Sequence, residues 1–161
     1  MVVGIDPGTT ESGYVVWSPT PIRDTGRTII GTVLDNESLR ATLYGFCRAT
    51  VVIEDVRCYG KPVGYETFRT VLWSGRFYEA AEKSINRVVL LPRMDVRKHL
   101  CGTGTAKDPD VRNALLERFG PGKALAIGTK KTPGPLYGLV SHCWPALALA
   151  VTYADQQGER R

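Results

Sequence analysis

The sequence predicts an α/β fold: a mixed five-stranded sheet, three antiparallel strands followed by parallel ones, flanked by helices. Three observations carry the prediction. Three short apolar runs, parted by turn-rich stretches, open the chain as an antiparallel meander would. The run Val51-Val52-Ile53-Glu54 is apolar without alternation up to its final carboxylate, which is how a strand covered on both faces reads. Helical segments then intervene between and after the later strands, as parallel neighbours require.

The first strand, residues 2–6, ends on Asp6, and a glycine-rich turn leads into the second at 12–17. Pro19 and Pro21 mark the connection to a third strand at 28–34, since neither fits a central strand. Ser38 is expected to cap a helix running to about Cys47, followed by a strand at 50–54. Residues 65–83 read as a helix with Phe68, Val71, Leu72, Gly75 and Tyr78 on one stripe and Trp73, Phe77 and Ala81 partly off it. So wide an apolar girth suits a helix packed on the sheet and on a partner subunit, or one well covered within its own chain. A strand at 87–91 and a short helix at 94–100 come next, then a helix opened by Asp108 or Asp110 and ending near Phe119. Residues 120–138, rich in Gly, Pro and Lys, read as a long loop. Ser141 is expected to cap the last helix, whose run Ala146 to Val151 is apolar all round and so buried. The whole forms one domain, 1–157, with 158–161 a disordered tail.

A chain of 161 residues buries roughly 70% of its unfolded surface. No apolar stretch reaches membrane-spanning length and no basic head precedes an apolar leader, so a cytoplasmic protein without membrane contact is expected. Cys47, Cys58, Cys101 and Cys143 form no Cys-x-x-Cys pair and read as reduced thiols. His99-Leu100-Cys101 and His142-Cys143 do not complete a regularly spaced zinc set. Gly102 to Lys107 superficially resembles a phosphate loop, but it lacks the Gly-Lys-Ser/Thr ending and follows no strand. Charge is distributed unevenly. Residues 1–56 hold four basic and seven acidic side chains, and residues 57–131 hold fifteen and seven. A basic middle beside clustered acids suits a polyanion, or else a set of solvated helix faces.

Asp6 and Glu54 each end a strand. If those strands are neighbours, both carboxylates emerge together, and hard divalent cations take such oxygen ligands. Asp6 is also suited to forming a turn before Pro7-Gly8. His142, at the head of the last helix, is placed to face the same edge or to be a surface histidine.

Together these residues resemble the RNase H-like fold, and within it the RuvC-type Holliday-junction resolvases. The resemblance spans nearly the whole chain. It rests on Gly4-Ile5-Asp6-Pro7-Gly8 with Gly13-Tyr14, on Ile53-Glu54, on Gly104-Thr105-Ala106-Lys107 before a helix, and on His142 followed by Ala146-Leu147-Ala148-Leu149-Ala150. Residues 59–64, Gly75-Arg76-Phe77-Tyr78 and residues 128–138 are more similar to phage-encoded relatives than to cellular ones. The resemblance implies a homodimeric endonuclease that nicks four-way or branched DNA symmetrically and leaves 5′-phosphates. It implies two Mg²⁺ per site, with Mn²⁺ a substitute and no small-molecule cofactor. Asp6, Glu54 and His142 match metal ligands, and Lys107 matches a lysine near the scissile phosphate. Tyr59 lies where relatives present an aromatic wedge, and Lys61, Lys130 and Lys131 would contact DNA. Trp73 or Phe77 would enter the dimer interface.

Pro145 stands where cellular members carry a further Asp, so the fourth ligand is open: His142 suffices with water, one of Asp55, Asp95, Asp108 and Asp110 fills in, or the second metal site is weakened. Other readings compete. Gly4-Ile5-Asp6 with Gly8-Thr9-Thr10 also resembles the first phosphate motif of actin-like ATPases, but these pair two such domains and a second motif is missing here. Retention of Asp6, Glu54 and His142 together argues against a catalytically dead DNA-binding module of the same fold, whereas a nuclease for RNA hybrids or branched DNA in general stays open on sequence.

Overall fold

The computed structural model describes residues 1–22, 25–46, 48–60, 62–84 and 87–158. Five strands, β1 (Val2–Asp6), β2 (Glu11–Trp17), β3 (Ile29–Asp35), β4 (Thr50–Asp55) and β5 (Arg87–Pro92), form one sheet in the order β3-β2-β1-β4-β5. β1 pairs antiparallel with β2 and β2 with β3, whereas β1 with β4 and β4 with β5 are parallel. The expected meander and the switch to parallel pairing are both present.

Period-2 alternation divides the strands between two cores. Val3, Ile5, Val51 and Ile53 face one side, where α1 (Asn36–Leu43) and α2 (Tyr65–Lys83) cover them. Val2, Val15, Val52 and Leu91 face the other. There they meet α3 (Arg93–Cys101), α4 (Asp108–Phe119), the single turn α5 (Lys123–Ala126) and α6 (Cys143–Gly158). α6 carries the buried run Ala146 to Val151 across β1 and β2, as its all-round apolarity requires. Among the described residues no helix is long and apolar enough to cross a membrane.

Three expectations need correction. α1 is capped by Asp35 rather than Ser38, because the Asp35 carboxylate accepts from the Ser38 N–H at 2.9 Å, and the helix ends at Leu43. Cys47, the expected end, lies outside the described residues. α2 is turned relative to the stripe read from sequence. Trp73 and Phe77, expected at a dimer interface, are 7% and 0% exposed inside this chain, while Phe68 and Leu72 are 64% and 49% exposed. The two large rings supply the volume that fills the space over β4, so the slimmer stripe is left outside. Finally, the loop at 120–138 is built rather than slack. It contains α5 and then a tight turn closed by a bridge between Gly128 and Pro133 and by the Thr129 N–H donating to Thr132 O at 3.0 Å. Lys130 and Lys131 stand exposed at the tip of that turn.

Candidate functional site

Strand register brings the acids together. Ile5 lies opposite Ile53, so Asp6 and Glu54 follow side by side at the C-terminal edge of two parallel strands. Alternation turns both toward the α3–α6 side, because Ile5 and Ile53 point into the opposite core. Asp55 pairs with Pro92 on β5, and the next residue, Arg93, opens α3 beside the acids. Its guanidinium Nη2 lies 2.9 Å from Glu54 Oε2 and 3.5 Å from Asp6 Oδ1.

His142 reaches the site because two glycines let the head of α6 lie almost on the sheet. A Cβ at Gly4 would sit 1.9 Å from Ala146 O, and one at Gly13 would sit 2.2 Å from His142 O. With that approach permitted, His142 Nδ1 stands 3.1 Å from Asp6 Oδ2. The turn behind Asp6 is fixed by a buried polar network. Ser12 Oγ donates to Asn36 Oδ1 at 2.6 Å, Gly8 N donates to Ser12 Oγ at 3.0 Å, and Asn36 Nδ2 donates to Gly8 O at 3.1 Å. Asn36 is thus a core residue.

Electrostatically the acid pair is under-compensated. Burial first, and then the charge of Glu54, push the Asp6 carboxyl up to about 7, against the hydrogen bond from His142 and the charge of Arg93. Burial would lower the Arg93 guanidinium, but the Glu54 and Asp6 charges reverse this and hold it above its ordinary value.

The acids stand at one end of a cleft of about 950 Å³ between α6 and the α3–α4 pair. Its floor is apolar, including Val111, Trp144 and Leu149, and its rim carries Arg93, Arg97, Arg112 and Lys123. Arg112 lies 4.5 Å over the Trp144 ring, which orients it along the rim. A negative end with a basic rim is the charge arrangement that a phosphodiester backbone and its cations would fit.

The structure brings Asp6, Glu54 and His142 together and leaves the other expected residues apart from them. Lys107 is exposed at the head of α4, where its N–H donates to Asp110 at 2.8 Å, and it does not line the cleft. Tyr59 is half exposed, with a left-handed φ of 48°, on the loop after β4. Lys61 lies outside the described residues. Of the acids considered as a further ligand, Asp108 alone lines the cleft, and Arg97 holds it at 2.8 Å. Asp55 is held by Arg57 at 2.6 Å. Arg93 was missed. A strand-to-helix junction directly after the third parallel strand was the available signal, since it must fall beside two strand-end acids.

Two adjacent carboxylates, Asp6 buried and Glu54 partly so, whose charge is not fully offset fit a hard divalent cation. The expected three-ligand arrangement is not formed, however. Among the described residues no group of three or more His, Cys, Asp or Glu side chains converges as a metal cage. The physical reason is local pairing: the imidazole closes on Asp6 and the guanidinium on both acids.

The strand order β3-β2-β1-β4-β5, antiparallel on one side of β1 and parallel on the other, is that of the RNase H-like fold class. Within that class, the fold matches solved resolvase structures along its full length. The Thermus thermophilus RuvC structure aligns with a TM-score of 0.65 at 23% identity, covering 98% of this chain and 96% of that one. T. thermophilus RuvC in complex with Holliday junction substrate gives the same score and identity. The Fowlpox virus resolvase, solved with substrate Holliday junction DNA, aligns at a TM-score of 0.52 and 13% identity over 97% of this chain and 99% of that one. No protein-family model and no curated protein sequence matches the chain.

Proposed function

We propose that the protein is a structure-selective endonuclease that hydrolyses phosphodiesters at four-way or related branched DNA junctions, acting as a homodimer with a divalent cation. The observation that carries this reading is the pair of a buried Asp6 and a largely covered Glu54, set side by side at one end of a basic-rimmed cleft. A domain that merely bound DNA would gain nothing from two adjacent, largely covered acids, which repel phosphate and cost desolvation energy. The resolvase structures with junction DNA that share this fold support the choice of substrate.

Asp6 and Glu54 would hold the cation, Mg²⁺ or Mn²⁺. When bound it would supply charge stabilisation at the phosphate and a more acidic attacking water. The chain's own residues do the rest. His142 holds Asp6 in place through Nδ1 and, half exposed, presents its other ring nitrogen outward as a proton acceptor. Arg112 and Lys123 align the phosphate backbone along the cleft. The exposed face of α2, with Tyr65 and Phe68 at 71% and 64% exposure, replaces Trp73 and Phe77 as the candidate dimer surface.

A second reading, a binding module without catalysis, draws on Arg93 between the acids and on Pro145 in the cleft wall. One assay separates the two. Four-way, three-way, flap and linear duplex DNA are incubated with Mg²⁺ or Mn²⁺ alongside a Glu54→Gln control. Paired nicks in the four-way substrate with 5′-phosphate ends, absent from the control, are expected. Tight binding without cleavage in either metal establishes the module instead.

A further inference from the structure

The geometry points to Arg93 as an internal counter-ion that competes with the divalent cation for Asp6 and Glu54, and that passes to a substrate phosphate once the cation binds. The inference rests on the reading that these two acids hold the cation.

The contacts make the competition concrete. Arg93 engages Glu54 Oε2 and faces Asp6 Oδ1, while His142 takes Asp6 Oδ2. Three of the four carboxylate oxygens therefore meet a nitrogen donor before any cation arrives. A guanidinium is permanently charged, so proton loss cannot clear it from the site. It must move aside. Asp6 and Glu54 side chains are 6% and 12% exposed, and leaving them without any cation costs desolvation energy that Arg93 offsets. Once a divalent ion supplies that compensation, the guanidinium next to it is repelled rather than needed.

The place it can move to is also visible. The Arg93 side chain is 42% exposed, stands at the first residue of α3 and lines the cleft that begins at the acids. Among the described residues its ion pairs run to Asp6 and Glu54 and to no other carboxylate. Turned outward, it presents a planar fork of donors to the cleft, the geometry that suits a phosphate. Arg97, one turn along the same helix, is by contrast tied to Asp108. Arg93 thus couples two states: acids closed by arginine, or acids holding a cation with arginine on the substrate.

The test uses the full chain and Mn²⁺ as probe, with free ion measured by electron paramagnetic resonance for the wild type, Arg93→Gln, Arg93→Lys and Glu54→Gln. Arg93→Gln is expected to bind Mn²⁺ about tenfold more tightly than the wild type, because a competing charge is gone. Arg93→Lys should stay near the wild type. At saturating Mn²⁺, Arg93→Gln should cut a four-way junction about tenfold more slowly or worse, with partial recovery in Arg93→Lys. Tighter metal with slower cutting is a split that general structural damage does not give, since damage weakens both. Equal or weaker Mn²⁺ binding by Arg93→Gln overturns the competition. Unimpaired cutting at saturation overturns the transfer to phosphate. If Glu54→Gln binds Mn²⁺ as well as the wild type, the cation reading itself falls, and Arg93's role falls with it.

Discussion

Burial and the adjacent Glu54 raise the Asp6 carboxyl from its ordinary 3.8 to about 7. The folded chain therefore holds that proton more tightly than the unfolded chain does. The metal-free fold should accordingly lose stability as pH rises from about 3.8 through about 7, by on the order of a few kcal/mol. Asp6→Asn should flatten that slope in denaturant titrations across the same window; an unchanged slope assigns the effect elsewhere. His142 pulls in the opposite direction, so His142→Ala should move the Asp6 titration further upward, read by carboxyl-carbon NMR, and should remove most cleavage. His142→Asp should restore part of the cutting by putting a carboxylate proton acceptor where the imidazole stood. Normal cutting by His142→Ala makes the imidazole a surface residue. Both acids and His142 were legible in the sequence because each acid ends an apolar run and the histidine stands at the head of an apolar helix. Arg93 was not, because a lone arginine carries no pattern until the register of β1, β4 and β5 places it.

α6 brings its histidine to Asp6 only because Gly4 and Gly13 have no side chains where the helix crosses the sheet. Gly13→Ala puts a methyl group against the His142 carbonyl and Cβ, so the head of α6 must lift. Cleavage should fall at least as far as in His142→Ala, with a stability loss of about 1–3 kcal/mol from overpacking; full activity in Gly13→Ala rules out a close-packed crossing. α2 shows where the sequence was ambiguous. A helix that is apolar nearly all round does not say which stripe meets the sheet, and ring volume decided in favour of Trp73 and Phe77. Phe77→Ala should therefore cost about 3–5 kcal/mol as a core cavity, with no specific effect on assembly. Phe68→Asp with Leu72→Asp should leave the fold intact and yield monomers in light scattering that nick one strand at a time. If that double variant remains dimeric, the exposed face of α2 is not the interface. The meander and parallel strands were readable from turn residues and apolar runs. The turn at Gly128–Pro133 was not, because it is held by backbone pairing that composition does not reveal.

Across the whole molecule, positive charge concentrates in the part of the chain that builds the cleft rim and the turn at Lys130-Lys131. Residues 57–131 hold fifteen basic and seven acidic side chains. Several of these bases are already committed to acids within the chain. Arg76 pairs with Glu37, Arg97 with Asp108, and Arg118 with Asp155. Raw charge counts therefore overstate what is left for a polyanion. Lys130 and Lys131, at the tip of a turn closed from both sides by Thr129 and Thr132, are set to contact phosphate beyond the cleft. If they do so, each contact releases condensed counterions, and log K for junction binding falls with log salt by about 0.9 per contact. Replacing both by Gln should reduce that slope by about 2, weaken binding uniformly across sequences, and leave the rate of cutting at saturating DNA unchanged. The turn itself should survive, because its closure uses threonine and backbone groups and no lysine. An unaltered salt slope would show that the turn faces away from the DNA. The bound strand would then be confined to the cleft lined by Arg93, Arg97, Arg112 and Lys123.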